Sequence, residues 1–178
     1  NSSMKDAILQ FGGGCTAEMI SANGLLITNH HCGYGAITAL STVEKNYLDN
    51  GFWAHSYSEE LPAKDVTALF LERMEDVTAE VMKAVGNSKG DKYDAKYKKV
   101  VEKITKRAEA GGAKIEAQVK SYFEGNQYIL LVYKKYKDVR LVGTPPKSLG
   151  SFGGDTDNWM WPRHTGDFSM FRIYADAN

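Results

Sequence analysis

The sequence predicts a mainly β fold carrying a helical insertion. Three observations lead there. Short apolar runs separated by turn residues fill the chain before about residue 76 and after about residue 110. Between those limits apolar residues recur every three or four positions, the period of an amphipathic helix. The composition, 43 % hydrophobic and 25 % charged over 178 residues, is that of a globular chain able to bury a core.

The elements follow in order. Residues 7–11 form an apolar run closed by Gly12-Gly13-Gly14. This triple glycine is no phosphate loop, because no Gly-Lys-Ser/Thr follows and no GxGxxG opens a helix. It lets two backbones approach closely. Residues 15–21 and 24–28 read as strands joined by Ala22-Asn23-Gly24, and Asn-Gly between apolar runs is a strong hairpin signal. From His30 the pattern turns helical, with Ile37, Leu40, Val43 and Tyr47 in phase and Asn50-Gly51 as its stop. Residues 66–74 alternate as a strand, with Thr67, Leu69 and Leu71 on one face and Ala68 and Phe70 on the other. Residues 76–85 read as a short helix capped by Asp76 and stopped by Gly86-Asn87. Residues 88–110 form a solvated amphipathic helix with Tyr93, Tyr97, Val100, Val101 and Ile104 in phase. The mostly helical excursion thus covers about 76–110 of a single domain spanning 1–178. Gly111-Gly112 ends it, and residues 114–123 and 127–136 pair about Glu124-Gly125-Asn126. A strand at 139–142 stops before Pro145-Pro146, a polar glycine-rich loop fills 147–166, and a last strand takes 168–174.

Charge narrows the function. Lys and Arg number 22, as do Asp and Glu, for a net charge of zero. A polyanion binder needs clustered positive charge, so no nucleic-acid partner is expected. The run Lys96-Tyr97-Lys98-Lys99 reads as a solvated helix face balanced by nearby acids. No apolar run approaches the ~20 residues of a membrane span. The chain opens on Asn-Ser-Ser without an initiator Met or signal peptide, and a piece of a longer protein is expected.

Cys15 and Cys32 lie 17 positions apart. They read either as two free buried thiols or as one disulfide between neighbouring strands, and a disulfide implies an oxidising compartment. Two cysteines without a CxxC do not make a zinc site. The adjacent His30 and His31 point apart, and His55 and His164 lack metal-ligand spacing, so no metal and no cofactor is expected. A general base is the better use of a histidine here. A serine hydrolase needs an imidazole that takes the nucleophile's proton and a carboxylate that fixes its tautomer. A strand delivers Ile27-Thr28-Asn29-His30-His31-Cys32, and Asp167 heads the strand Phe168-Ser169-Met170-Phe171-Arg172. The plainer reading makes His31 a satisfied histidine and Asp167 a turn residue. Trp159 and Trp161 would ordinarily be core, but they stand in a polar glycine-rich loop.

Two long strings carry a resemblance. The segment from Gly12 to His31-Cys32 resembles the chymotrypsin-type segment that presents a catalytic His before a Cys, and Asn29-His30-His31-Cys32-Gly33-Tyr34-Gly35 is the first of the two strings. The string Gly153-Gly154-Asp155-Thr156-Asp157-Asn158-Trp159-Met160-Trp161-Pro162-Arg163-His164-Thr165-Gly166-Asp167-Phe168 is similar to the bacterial dipeptidyl-peptidase 7 and 11 family of serine exopeptidases. The match runs through 11–37 and 143–174 and is weaker between.

The resemblance implies a chymotrypsin-like β-barrel half, the N-terminal portion of a serine dipeptidyl-peptidase. It makes His31 the general base, Asp167 the triad carboxylate, and Asn158 and Trp159 the anchor for the free N-terminus of a peptide substrate. An amide oxygen accepts from an ammonium, and an indole offers its π face. It also implies a homodimer, in the periplasm or at the cell surface of a Gram-negative bacterium. No serine here has a Gly-Asp-Ser-Gly-like context, Ser148 and Ser151 included, so the nucleophile is expected downstream and this stretch alone is expected to be inactive. The choice between acidic and hydrophobic residues before the scissile bond is also made downstream in the family. The alternatives are an inactive peptide-binding module and a metal-binding β-domain using His30, His31 and His164.

Overall fold

The structure is a computed structural model and describes residues 3–150 and 166–175. In chain order it has β1 Ile8–Phe11, β2 Cys15–Met19, β3 Leu25–Thr28, α1 His30–Leu40, α2 Tyr47–Asn50, β4 Phe52–Trp53, β5 Leu61–Pro62 and β6 Ala68–Asp76. Then come α3 Thr78–Val85, α4 Asp91–Glu109, β7 Ile115–Tyr122, β8 Gln127–Tyr136, β9 Val139–Thr144, α5 Lys147–Gly150 and β10 Ser169–Ile173. The chain forms two compact units. Leu69–Lys135 is one, and the segments on either side of it make the other.

In the flanking unit, local turn chemistry sets the antiparallel pairing. Ser21 Oγ accepts from the N–H groups of Asn23 and Leu25 at 3.2 Å each. Gly24 closes that hairpin at φ +78, a conformation that favours glycine. β1 pairs with β2 through Leu9↔Ala17, and β2 with β3 through Met19↔Leu26. β3 pairs with β10 through Thr28↔Ser169 and Leu26↔Phe171. β10 continues onto β9 with a register shift between Met170 and Phe171. β9 in turn carries both short strands, β4 and β5. The inward side chains Leu9, Phe11, Leu26, Leu141 and Phe171 are buried, with the Phe11 and Phe171 rings 4.9 Å apart. Burying each contributes about 1.5–3 kcal/mol. α1 packs on this floor through Ile37 and Gly33. A Cβ at Gly33 would stand 3.1 Å from the Phe171 ring, so glycine sets how closely the helix approaches.

In the unit Leu69–Lys135, β7 and β8 pair from Ile115↔Lys134 to Tyr122↔Gln127. Val81 and Val85 of α3, Val100 and Ile104 of α4, and Tyr128, Leu130 and Val132 of β8 make its core. Asp76 Oδ1 accepts from Thr78 N–H at 2.8 Å and starts α3, while Gly86 ends it at φ +54. Arg107 bonds both oxygens of Glu80, at 3.1 and 2.9 Å. No described helix is long and apolar enough to cross a membrane.

Three local expectations need correction. The helix from His30 does not run to Asn50. It ends at Leu40, and Val43 is 98 % exposed. The backbone turns extended at Ser41, φ −78 and ψ 144, where Oγ donates to Ile37 O at 2.8 Å and accepts from Leu48 N–H at 3.3 Å and so joins the end of α1 to α2. The alternation over 66–74 is not clean, since Ala68 and Leu69 are both buried and Leu71 is exposed. The expected pairing of 114–123 with 127–136 is present, closed by a short 3₁₀ turn with Phe123 and Glu124 at positive φ. The strands β4 and β5 fall in a stretch given no element, and the one-turn α5 opens the stretch read as loop.

Candidate active site

β3 ends at Thr28, and Asn29 turns the chain into α1 with extended backbone, φ −66 and ψ 149. A helix leaves its first N–H groups without intrahelical partners, and its N-terminus favours negative charge. Asp167, just before β10, answers both needs. Its Oδ1 accepts from the His31 backbone N–H at 3.3 Å. Its Oδ2 accepts from Asn29 Nδ2 at 3.0 Å and faces His31 Nδ1 at 3.2 Å. Asn29 therefore makes no side-chain cap of its own, because its amide holds the carboxylate instead. The His31 side chain is 62 % exposed and Asp167 only 14 %. The sheltered carboxylate thus fixes one ring nitrogen of an imidazole that stays open to an incoming group, the geometry a general base requires.

His30 points the other way, into the core, with 1 % exposure. Its Nδ1 lies 3.1 Å from Thr144 Oγ1 and 3.4 Å from Ser169 Oγ, and those two hydroxyls are 3.1 Å apart. Burial holds its pKa below the ordinary histidine value. Asp167 opposes that shift and His31 adds to it.

Cys15 at the start of β2 and Cys32 in the first turn of α1 are bonded, S–S 2.07 Å with Cα atoms 6.0 Å apart. They lie beside the His31 ring within 4.8 Å, but both sulfurs are consumed by the bond, which leaves His31 as the one free ligand of that group. Of the other histidines, His55 donates its backbone N–H to Glu59 at 2.8 Å and lines a separate cavity with Tyr57, Glu60 and Arg172. Asn158, Trp159, Trp161 and His164 lie outside the described residues. In the basic stretch, Lys96, Lys99 and Lys103 line an open groove of about 690 Å³ with Glu80 and Val100, and Lys96 Nζ donates to Ser88 Oγ at 2.8 Å.

Sequence reasoning brought His31 and Asp167 together but missed Asn29, Thr144 and Ser169. For Asn29 a signal existed: it is a favoured N-cap type placed directly before the helical pattern.

The sequence model of the family Peptidase S46 matches residues 1–178. The chain belongs to the Peptidase S46 family. This S46 chain is 54 % identical over 180 residues to Dipeptidyl-peptidase 7 of Capnocytophaga gingivalis, covering 100 % of itself and 25 % of that protein. It is 50 % identical over 182 residues to the Asp/Glu-specific dipeptidyl-peptidase of Porphyromonas gingivalis, covering 99 % of itself and 25 % of that protein. Among solved structures, Porphyromonas endodontalis DPP11 in complex with the dipeptide Arg-Glu superposes with a TM-score of 0.85 at 43 % identity, over 99 % of the S46 chain and 27 % of DPP11. The S46 chain thus spans about a quarter of the length of these relatives. Its fold is that of a β-rich, chymotrypsin-like half.

Proposed function

We propose that this chain is the N-terminal portion of a serine dipeptidyl-peptidase, which removes dipeptides from the free N-terminus of peptides. The observation that carries the reading is the 3.2 Å contact between His31 Nδ1 and Asp167 Oδ2 beneath an exposed imidazole. In this reading Asp167 keeps the proton of His31 on Nδ1, so Nε2 is free to take the proton of a serine hydroxyl as that oxygen attacks the peptide carbonyl. The same nitrogen then delivers the proton to the leaving amine. The serine comes from the part of the protein downstream of this chain. Asn158 and Trp159 hold the α-ammonium of the substrate, which sets the cut two residues in. The dipeptidyl-peptidase names of the relatives support this reading.

The Cys15–Cys32 bond supports an oxidising location, the periplasm or cell surface of a Gram-negative bacterium. The resemblance supports a homodimer for the full-length protein, checked by light scattering. The deciding experiment is kinetic. In the full-length protein, His31→Ala and Asp167→Ala each lower kcat about 10³-fold or more while KM stays within roughly threefold. Turnover within tenfold of wild type in either variant removes the general-base assignment.

A further inference from the structure

His31 carries a problem that packing cannot solve. Its side chain is 62 % exposed, so among the described residues no surrounding wall holds the ring against Asp167. Its position must come from the backbone on either side. On one side Cys32 is bonded to Cys15 of β2. On the other side stands His30, buried and facing two strands. Thr144, which it meets at 3.1 Å, closes β9, and Ser169, at 3.4 Å, opens β10 two residues after Asp167.

We propose that His30 is a positioning residue for the His31–Asp167 pair: its imidazole ties the first turn of α1 to β9 and β10, and so holds His31 in register with the carboxylate. This rests on the reading of His31 as general base. Three buried polar groups in mutual contact are costly filling for a core that a leucine could fill. What they supply is directionality, since a satisfied polar network fixes one arrangement where apolar packing tolerates several. Among the described residues no partner reaches His30 Nε2. A buried N–H without an acceptor is the rarer kind of orphan, so the proton belongs on Nδ1, donated to Thr144 Oγ1. Thr144 Oγ1 in turn lies 3.1 Å from Ser169 Oγ and 3.4 Å from Pro145 O.

The test uses the full-length protein and a dipeptidyl substrate with a free amino terminus, well below the thermal transition. His30→Leu keeps a buried apolar side chain but loses the bonds. It is expected to lower kcat about 10- to 100-fold with KM within about threefold, because a displacement near 1 Å is worth about that much. His30→Asn places an amide N–H near the position of Nδ1 and is expected to restore kcat to within about threefold of wild type. Thr144→Val breaks the link from the other end at nearly constant volume and is expected to lower kcat about tenfold. A folded His30→Leu within twofold of wild type overturns the proposal, as does a His30→Asn that falls as far as His30→Leu. Should His30→Leu fail to fold, Thr144→Val decides alone, and kcat within twofold overturns the proposal. Full turnover in His31→Ala would strike down the general-base reading and this proposal with it. A dead His31→Ala beside a fully active His30→Leu strikes down this proposal alone.

Discussion

Asn29 occupies the N-cap of α1 but lends its amide to a carboxylate from the other end of the sequence, so one residue both ends β3 and braces Asp167. Hydrogen bonds to a charged group contribute about 1.5–3 kcal/mol when sheltered, and exposure of Asn29 lowers that figure. Asn29→Ala is therefore expected to cost roughly three- to tenfold in kcat of the full-length protein while leaving KM in place, and a variant with wild-type kcat would show that the backbone N–H of His31 holds Asp167 unaided. His30 gives a second expectation at this scale. Burial lowers its pKa from the ordinary 6.5, with Asp167 opposing and His31 reinforcing the shift. Between the lowered value and 6.5 the unfolded chain binds more protons than the folded one, so stability falls as pH drops through that window and is fully present above it. Urea midpoints measured from pH 7.5 downward are expected to decline near pH 6.5 in the wild type and less steeply in His30→Asn. Equal slopes in the two proteins would mean that His30 does not titrate there.

The elements were legible where their signals are local. Asn23-Gly24 fixes the hairpin of β2 and β3 from four adjacent residues, and Asp76 and Gly86 bracket α3 from its own ends. The end of α1 was hidden because Val43 and Tyr47 keep helical spacing by coincidence, while the backbone turns extended at Ser41, whose hydroxyl bridges Ile37 O and Leu48 N–H. β4 and β5, two residues each, exist only through pairing with β9, about 80 or more residues on. The candidate site divides the same way. His31 and Asp167 stand in distinctive strings, but His30, Thr144 and Ser169 meet across separations of 114 and 139 residues that no local pattern records. α1 supplies a paired test of this scale. A side chain at Gly33 meets Phe171 at 3.1 Å and Ile37 at 3.3 Å, and Phe171 is fully buried. Gly33→Val is expected to destabilise by about 1–3 kcal/mol through overpacking. A Cβ added at Gly35, two residues along, would meet nothing within 4 Å, so Gly35→Ala is expected to raise the thermal midpoint through a helix-propensity gain near ~1 kcal/mol. Shifts of the same sign in both variants would contradict the packing of α1.

At the scale of the whole molecule, the proposed function raises the question of what would make a half-barrel part of an exopeptidase. An endopeptidase reads side chains along a cleft, whereas a dipeptidyl-peptidase must also read the end of the chain. The distinguishing chemistry is an acceptor for an ammonium group, set two residues from the bond that breaks. The proposed function assigns that acceptor to Asn158 with Trp159 beside it, nine positions before Asp167, and both lie outside the described residues. An ammonium deprived of its acceptor on binding loses about 1–3 kcal/mol, and each 1.4 kcal/mol is tenfold in affinity. In the full-length protein Asn158→Ala is therefore expected to raise KM about 10- to 100-fold for substrates with a free amino terminus, with a smaller effect on kcat. N-acetylated versions of the same substrates carry no ammonium, so the wild type is expected to cleave them poorly and the Asn158→Ala substitution to change that residual rate little. The readout is kcat/KM for free and blocked substrates in both proteins. If the wild type cleaves both equally, the loop does not read an amino terminus, and the exopeptidase assignment fails even where the contact between His31 and Asp167 proves to be catalytic.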